Sequence, residues 1–176
     1  MVAVEAVETS VLEARALAGD AAAFGELIRG WDPDFRGVVW TVVRSAAGTD
    51  DVMQASYEKA FRTIDRFNGQ APLKIWLHTV CLRAAIEHSR TAPQPLALDA
   101  DGLGSSPADA VPDDAASPEL ARVFDSLDRV DQVLLMLTSG LGYSFDDTAT
   151  IVGLPRGTVT SRVGKARVQI RNGTES

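Results

Sequence analysis

GLPRGTVTSRVGKARVQIR, residues 153–171, couples a turn to a helix of one charge sign. Gly153, Leu154 and Pro155 stop the preceding helix and set the next one off. Beyond them Val159, Val163, Ala166 and Ile170 recur at i, i+4, i+7 and i+11, the spacing of a single buried stripe. Thr158, Arg162, Lys165 and Gln169 fall on one flank of that stripe, and Thr160, Gly164, Arg167 and Arg171 on another. Five bases and no acid lie between Arg156 and Arg171, in a chain of formal net charge −7. Just upstream, FDDTATIV reads as a two-turn helix capped by Ser144, with Asp147 as a capping-box-like partner. Two short helices about a glycine-containing turn, acids in the first and only bases in the second, make the helix-turn-helix pattern. Such a second helix fits the major groove, its bases meeting phosphates and guanine edges. Taken alone, a basic face is equally compatible with plain solvation.

Outward from this motif the sequence is helical throughout, and no alternating strand pattern occurs. Pro118 opens a helix carrying Leu120, Val123, Phe124 and Leu127; VDQVLLMLTS follows as a buried helix ended by Gly140 and Gly142. At the other end of the chain, residues 7–29 space Val11, Ala14, Leu17, Phe24, Leu27 and Ile28 as a helix, broken or kinked at Gly19-Asp20. A second helix runs from Asp34 to Arg44 after Pro33. Thr49 is a suitable N-cap for a third, and Pro72 suits the start of a fourth. The fold class is all-α, with two small helical domains at 1–90 and 118–176.

The acidity is unevenly placed. Residues 1–90 hold ten Lys/Arg and twelve Asp/Glu, and residues 122–176 hold seven and six. Residues 91–121 hold six acids and no base. The stretch 91–117, rich in Pro, Gly, Ser, Ala and Asp, reads as a flexible acidic linker. No hydrophobic run approaches the roughly 20 residues of a membrane span, and the acidic N-terminus lacks the bases of a signal peptide. One cysteine, Cys81, excludes an internal disulfide framework. These features together fit a cytoplasmic protein with no membrane insertion. His78, Cys81 and His88 share one helix, but three ligands on one helix without a fourth elsewhere make a poor tetrahedral site, so no metal is expected. No nucleophile–base or paired-carboxylate constellation stands out, and Gly102 and Gly104 lack a phosphate-loop context. Neither an enzyme nor a cofactor is implied.

LDRVDQVLLMLTSGLGYSFDDTATIVGLPRGTVTSRVGKAR, from Leu127 to Arg167, resembles region 4 of the extracytoplasmic-function (ECF, group IV) RNA polymerase sigma factors of the sigma-70 family. AGDAAAFGEL, TDDVMQASYEKAFRTIDRFNG and the helix beginning KIWL resemble their region 2. The resemblance covers about residues 12–90 and 118–171. It implies a promoter-reading subunit that binds core RNA polymerase and directs transcription initiation, with an anti-sigma factor as a further partner. Region 4 would bind the −35 element through Arg156, Thr158, Thr160, Ser161, Arg162, Gly164, Lys165 and Arg167. Of these, Thr160, Ser161, Gly164 and Lys165 fall where the family reads bases, and Arg162 and Arg167 where it holds phosphates. The loop Phe67–Leu73 and the following helix would hold a flipped base of the −10 element, with Phe67, Asn68, Lys74, Trp76 and Arg83 in contact. Asp51, Gln54, Tyr57 and Phe61 would dock on the polymerase clamp.

Some residues depart from the family pattern. Further arginines usually follow the Trp-Leu pair of the −10 helix; here those positions are Thr79 and Leu82, with Arg83 displaced by one. Thr160 replaces a frequent Lys/Arg, and Gly164 replaces a larger side chain. Fewer charges imply weaker, less salt-sensitive DNA binding. The six carboxylates of residues 91–121 either mimic nucleic acid in a basic polymerase channel or serve as a solvated spacer. Two other function classes remain compatible with the sequence: a helix-turn-helix regulator working without polymerase, and a sigma-like interaction module that no longer melts promoters.

Overall fold

The computed structural model describes residues 2–90 and 118–174, with side chains from residue 7 onward. The segment 91–117, read above as the acidic linker, lies outside the described residues. All regular structure among the described residues is helical. In chain order the helices are α1 (Val2–Leu17), α2 (Ala21–Val43), α3 (Ala46–Arg62), α4 (Leu73–Arg90), α5 (Pro118–Asp125), α6 (Arg129–Leu135), α7 (Phe145–Val152) and α8 (Arg156–Thr174). A 3-10 turn, Ile64–Arg66, follows α3, and a π-helical turn, Met136–Gly140, follows α6.

The break at Gly19-Asp20 is where the composition puts it. Gly19 takes φ 89°, and Asp20 caps α2 by accepting from the amides of Ala22 and Ala23. The face of α1 differs from expectation. Leu12 and Ala16 turn inward, whereas Val11 and Val7 are more than half exposed. This helix packs on α2 and touches little else, so only a narrow strip of it is covered.

Pro33 does not begin a helix; α2 runs straight through it. The missing N–H removes the partner of the Arg29 carbonyl, and both residues are exposed, so that carbonyl faces solvent and not the core. The opposite face carries an unbroken buried stripe of Phe24, Leu27, Ile28, Phe35, Val38, Val39 and Val42. Burying each large side chain is worth about 1.5–3 kcal/mol, and the stripe together outweighs the roughly 3 kcal/mol cost of an interior proline.

Thr49 is not the N-cap of α3. The helix starts a turn earlier, at a Ser45 cap whose hydroxyl accepts from the Gly48 amide at 3.3 Å. Gly48 sits too close to Val43 for any side chain, since a Cβ there would lie 2.8 Å from Cγ1 of Val43. Thr49 is buried, and its hydroxyl has no hydrogen-bond partner.

Helices α2, α3 and α4 share one core with α1 on its flank. The second segment builds a smaller core from Leu127, Val130, Leu134, Leu135, Val159, Val163 and Ala166. The α8 stripe expected from the sequence is the one that is buried, with Ile170 partly covered at its end. Gly173 brings α8 close to α5, because a Cβ there would meet Val123 at 2.8 Å.

The two segments are also packed on each other. Val133, Leu137 and Ile151 belong to the larger core, and α7 lies against α4. At the edge of this contact the Arg44 guanidinium donates to Asp125 at 2.9 Å and to Oε1 of Gln132. Arg129 donates to the carbonyl of Thr41 at 3.2 Å. Between α2, α3, α5 and the π-helical turn lies a groove of about 690 Å³, lined by Trp40, Phe124 and Met136 among others.

The position of the α3 cap gives opposite signs for two substitutions. Ser45→Ala should lower the urea-unfolding free energy by about 1 kcal/mol. Thr49→Val removes a buried hydroxyl that makes no bond and should raise it by up to about 1 kcal/mol. Were Thr49 the cap, the second change would destabilise and the first would be neutral.

Candidate nucleic-acid interface

Helix α8 is held at three points. Its buried stripe sits on α6 and α7. Its N-terminus follows the Gly153 turn, which takes φ 72° and closes α7. The Ser144 hydroxyl accepts from the Asp147 amide at 3.0 Å and donates to the same residue's carboxylate at 2.7 Å, the reciprocal cap read from the sequence. These bonds fix the angle at which α8 is presented.

Of the eight residues assigned to −35 contact, Arg156, Thr160, Ser161, Gly164, Lys165 and Arg167 are exposed. Thr158 is half-buried. Arg162 is drawn away from the outward face: it donates to Asp131 at 2.7 Å and to Asp128 at 3.0 Å, with 18% of its side chain exposed. Asp128 is also the N-cap of α6, accepting from the Val130 amide. Arg162 thus joins α8 to the start of α6. Arg167 bonds the Ser139 hydroxyl at 3.0 Å, and Arg156 pairs with Asp146 in full solvent.

The outward face carries more than the sequence reading assigned. A shallow concavity is lined by Gly164, Lys165, Val168, Gln169 and Asn172, with Val168 46% exposed. Gly164 leaves open space around it, so nothing within the chain requires a glycine there. Val168 was detectable in principle as an apolar residue off the buried stripe.

The residues assigned to −10 contact gather at the 3-10 turn and the start of α4. Phe67 and Trp76 meet edge to face at 5.8 Å and both lean on the core, half-buried. Lys74 is engaged with Asp34 at 2.6 Å and lies 6.0 Å from the Trp31 ring. Asn68 is exposed in the loop, where its side chain accepts from the Gln70 amide. Arg83 is exposed more than two turns farther along α4.

Of the four residues assigned to polymerase, Asp51 and Gln54 stand exposed on α3, one turn apart, with Gln54 donating to Glu58 at 3.2 Å. Tyr57 and Phe61 lean inward. The Tyr57 hydroxyl donates to Asp32 at 2.8 Å, and burial together with that carboxylate pushes its pKa far up. Phe61 packs on Phe24 at 5.2 Å. A helical period places these residues on one broad side without telling the solvent half from the core half.

His78 and Cys81 are buried in α4, and His88 lies exposed near its end. Burial pushes the Cys81 thiol up to about 12. No group of metal-binding side chains occurs among the described residues, and none of their helices is long and apolar enough to cross a membrane.

Comparison with known proteins places this geometry in a family. Residues 27–93 match the Sigma-70 region 2 family. The chain is 31% identical over 182 residues to the ECF RNA polymerase sigma-E factor of Haemophilus influenzae, covering 96% of each protein. It is 28% identical over 166 residues to the RNA polymerase sigma-H factor of Pseudomonas aeruginosa, covering 86% of each. Among solved structures it is similar to CnrH in complex with the cytosolic domain of CnrY, with a TM-score of 0.67, 20% identity, and 96% and 97% of the two chains covered. It is also similar to the sigma factor RpoE in complex with the anti-sigma factor NepR from Bartonella quintana, with a TM-score of 0.62, 20% identity, and 86% and 96% covered. The chain belongs to the ECF RNA polymerase sigma factors of the sigma-70 family, the proteins that direct transcription initiation.

Proposed function

We propose that the protein binds core RNA polymerase in the cytoplasm, reads promoter DNA at two elements and catalyses nothing itself. The observation that carries this reading is the outward face of α8. It presents Thr160, Ser161, Gly164 and Lys165 to solvent with no acid among them, while Arg162 secures the helix from behind. Lys165 lies one turn past Ser161 and reads a guanine edge of the −35 element. Gly164 lets a duplex backbone or base edge approach closely. Arg156 and Arg167 serve phosphates, exchanging Asp146 and Ser139 for DNA oxygens. Arg162 positions the helix instead of holding a phosphate.

The loop after the 3-10 turn holds the −10 base, with Asn68 at its rim and the Phe67–Trp76 pair as a wall. Polymerase docks on the exposed line of Asp51 and Gln54, with Tyr57 and Phe61 supporting that line from beneath. Residues 1–90 and 118–176 are the two domains, and 91–117 is the tether. An anti-sigma factor holds the protein inactive. One solved structure with this fold contains the anti-sigma factor NepR and another the cytosolic domain of CnrY, and this supports the assignment.

Three measurements test these roles. The first titrates labelled promoter duplexes with polymerase reconstituted with the full chain, at several salt concentrations. Lys165→Ala should cost about 1–3 kcal/mol on the preferred −35 sequence and relax preference at one base pair. Arg167→Ala should weaken all sequences alike and reduce the salt slope by about one unit. Arg162→Ala should instead lower the unfolding free energy by about 2 kcal/mol, because two half-buried carboxylates lose their partner. If Lys165→Ala and Arg167→Ala both bind like the parent, α8 does not read DNA.

The second measures core binding by competition. An Asp51→Ala, Gln54→Ala double variant should lose about tenfold in affinity at unchanged helicity, whereas Tyr57→Phe should lose about 1 kcal/mol of stability with its bond to Asp32 and keep its core affinity. The reverse pattern would move the docking surface off the exposed line. In the third, limited proteolysis should cut first between residues 91 and 117 and leave two helical fragments. First cuts within α3 or α8 would end the two-domain division.

A further inference from the structure

His78 lies where the two helical segments meet. Its side chain is fully buried. The ring stands edge-on to Phe35 of α2 at 4.4 Å and to Tyr143 of the turn before α7 at 5.1 Å. Neither ring nitrogen has a hydrogen-bond partner, and the Tyr143 hydroxyl has none either. An imidazole buried between two aromatic rings, with both nitrogens unpaired and out of water, is a poor place for a positive charge. Of the charged groups that face it, Asp34 favours a proton, but less than burial and Lys74 oppose one. Lys74, one turn back on α4, repels a proton, and Asp34 on α2 is already bonded to Lys74. Tyr143 is held un-ionised by burial.

Only the second segment closes this site on one side. Tyr143 is brought there by the Gly142 turn and by the packing of α7 on α4. Separating the segments removes that ring and wets the imidazole, while Phe35 stays beneath it. The remainder of the contact is equally intolerant of added charge. Arg44 pairs there with Asp125, and burial together with Arg44 works against the charge on Arg129.

We propose that the contact between α4 and the α7 segment is an acid-sensitive latch: neutral His78 holds the two helical segments together, and its protonation releases them. The proposal goes beyond the promoter-reading role and does not need it, since closure is read directly on the free protein.

The sign follows from linkage. Burial, with Lys74 adding to it, lowers the closed-state pKa of His78 to about 3. The wetted imidazole titrates near an ordinary value of about 6.5. The open form therefore binds more protons, closure is at full strength above about pH 6.5, and it weakens as pH falls below that. Between pH 7.5 and pH 5.5 the open-to-closed ratio should rise about tenfold.

The test counts open and closed molecules of the full chain by single-molecule energy transfer, with dyes on Lys59→Cys and Thr150→Cys, two exposed positions on either side of the contact, and Cys81→Ala to leave no other thiol. Helicity is followed in parallel. The ratio of low- to high-transfer molecules should rise about tenfold from pH 7.5 to pH 5.5 with helicity constant, and His78→Phe should abolish the change while staying closed. Arg44→Ala, which weakens the contact away from His78, brings the ratio into a measurable range if the parent is almost wholly closed. His78→Leu serves if the larger ring does not fold. A ratio that stays constant with pH in both backgrounds overturns the proposal. So does a variant without the imidazole that follows the parent's pH dependence.

Discussion

One side chain ties the two halves of this chain together at long range. Arg44 ends α2 in the left-handed conformation, φ 55°, the sole non-glycine residue among those described with a positive φ. That conformation costs about 1–2 kcal/mol for a residue with a Cβ. It also aims the guanidinium across the junction, where it meets Asp125 and Gln132 with 8% of its side chain exposed. Gln132 is itself fixed, its amide donating to the carbonyls of Phe124, Asp125 and Leu127 at the end of α5. The α5–α6 corner is thus built around a glutamine whose remaining oxygen is held for an arginine far away in sequence. Removing one partner of such a buried pair leaves the other without water or counter-charge, which is costly.

The junction also explains how much of the fold was legible. Helical period identified the buried side of α8 but not of α1, while end signals gave the Ser144 cap of α7 and the start of α4 after Pro72. It does not say what covers that side. Val133, Leu137 and Ile151 read as apolar positions of a small second core, yet they join the larger one. Local rules failed where tertiary burial overrode them. Pro33 looks like a boundary until the stripe from Phe24 to Val42 is counted as one surface. Thr49 looks like a cap until Gly48 lets α3 begin a turn earlier, beside Val43.

The same distinction sorts the site. The family resemblance put Gln54, Tyr57 and Phe61 on one docking surface, and the structure splits them. Gln54 meets solvent, Tyr57 gives its hydroxyl to Asp32, and Phe61 packs on Phe24. For α8 the exposed set was readable from residues alone, because a helix with only one buried stripe leaves its other faces outside. Arg162 was not readable. Its two carboxylate partners lie on α6, more than thirty residues earlier, and no local pattern announces them.

Charge in a sequence is therefore not charge available to a ligand. The five bases of α8 divide by what already holds them. Arg162 is half-buried against two carboxylates, and releasing it to a phosphate would leave both without a partner. Arg156 pairs with Asp146, but both are exposed, and such a pair is worth little and exchanges readily. Arg167 gives up one hydroxyl bond, which a phosphate oxygen replaces with a stronger, charge-assisted one. Lys165 and Arg171 are exposed. Each phosphate neutralised steepens the dependence of log affinity on log salt by about 0.9. In the proposed DNA-reading role, the salt slope contributed by α8 would follow its four exposed bases and shrink where Lys165 is committed to a base edge. An acidic chain presents a basic helix, and the pairing of Arg162 with Asp128 and Asp131 limits how much of that positive charge faces solvent.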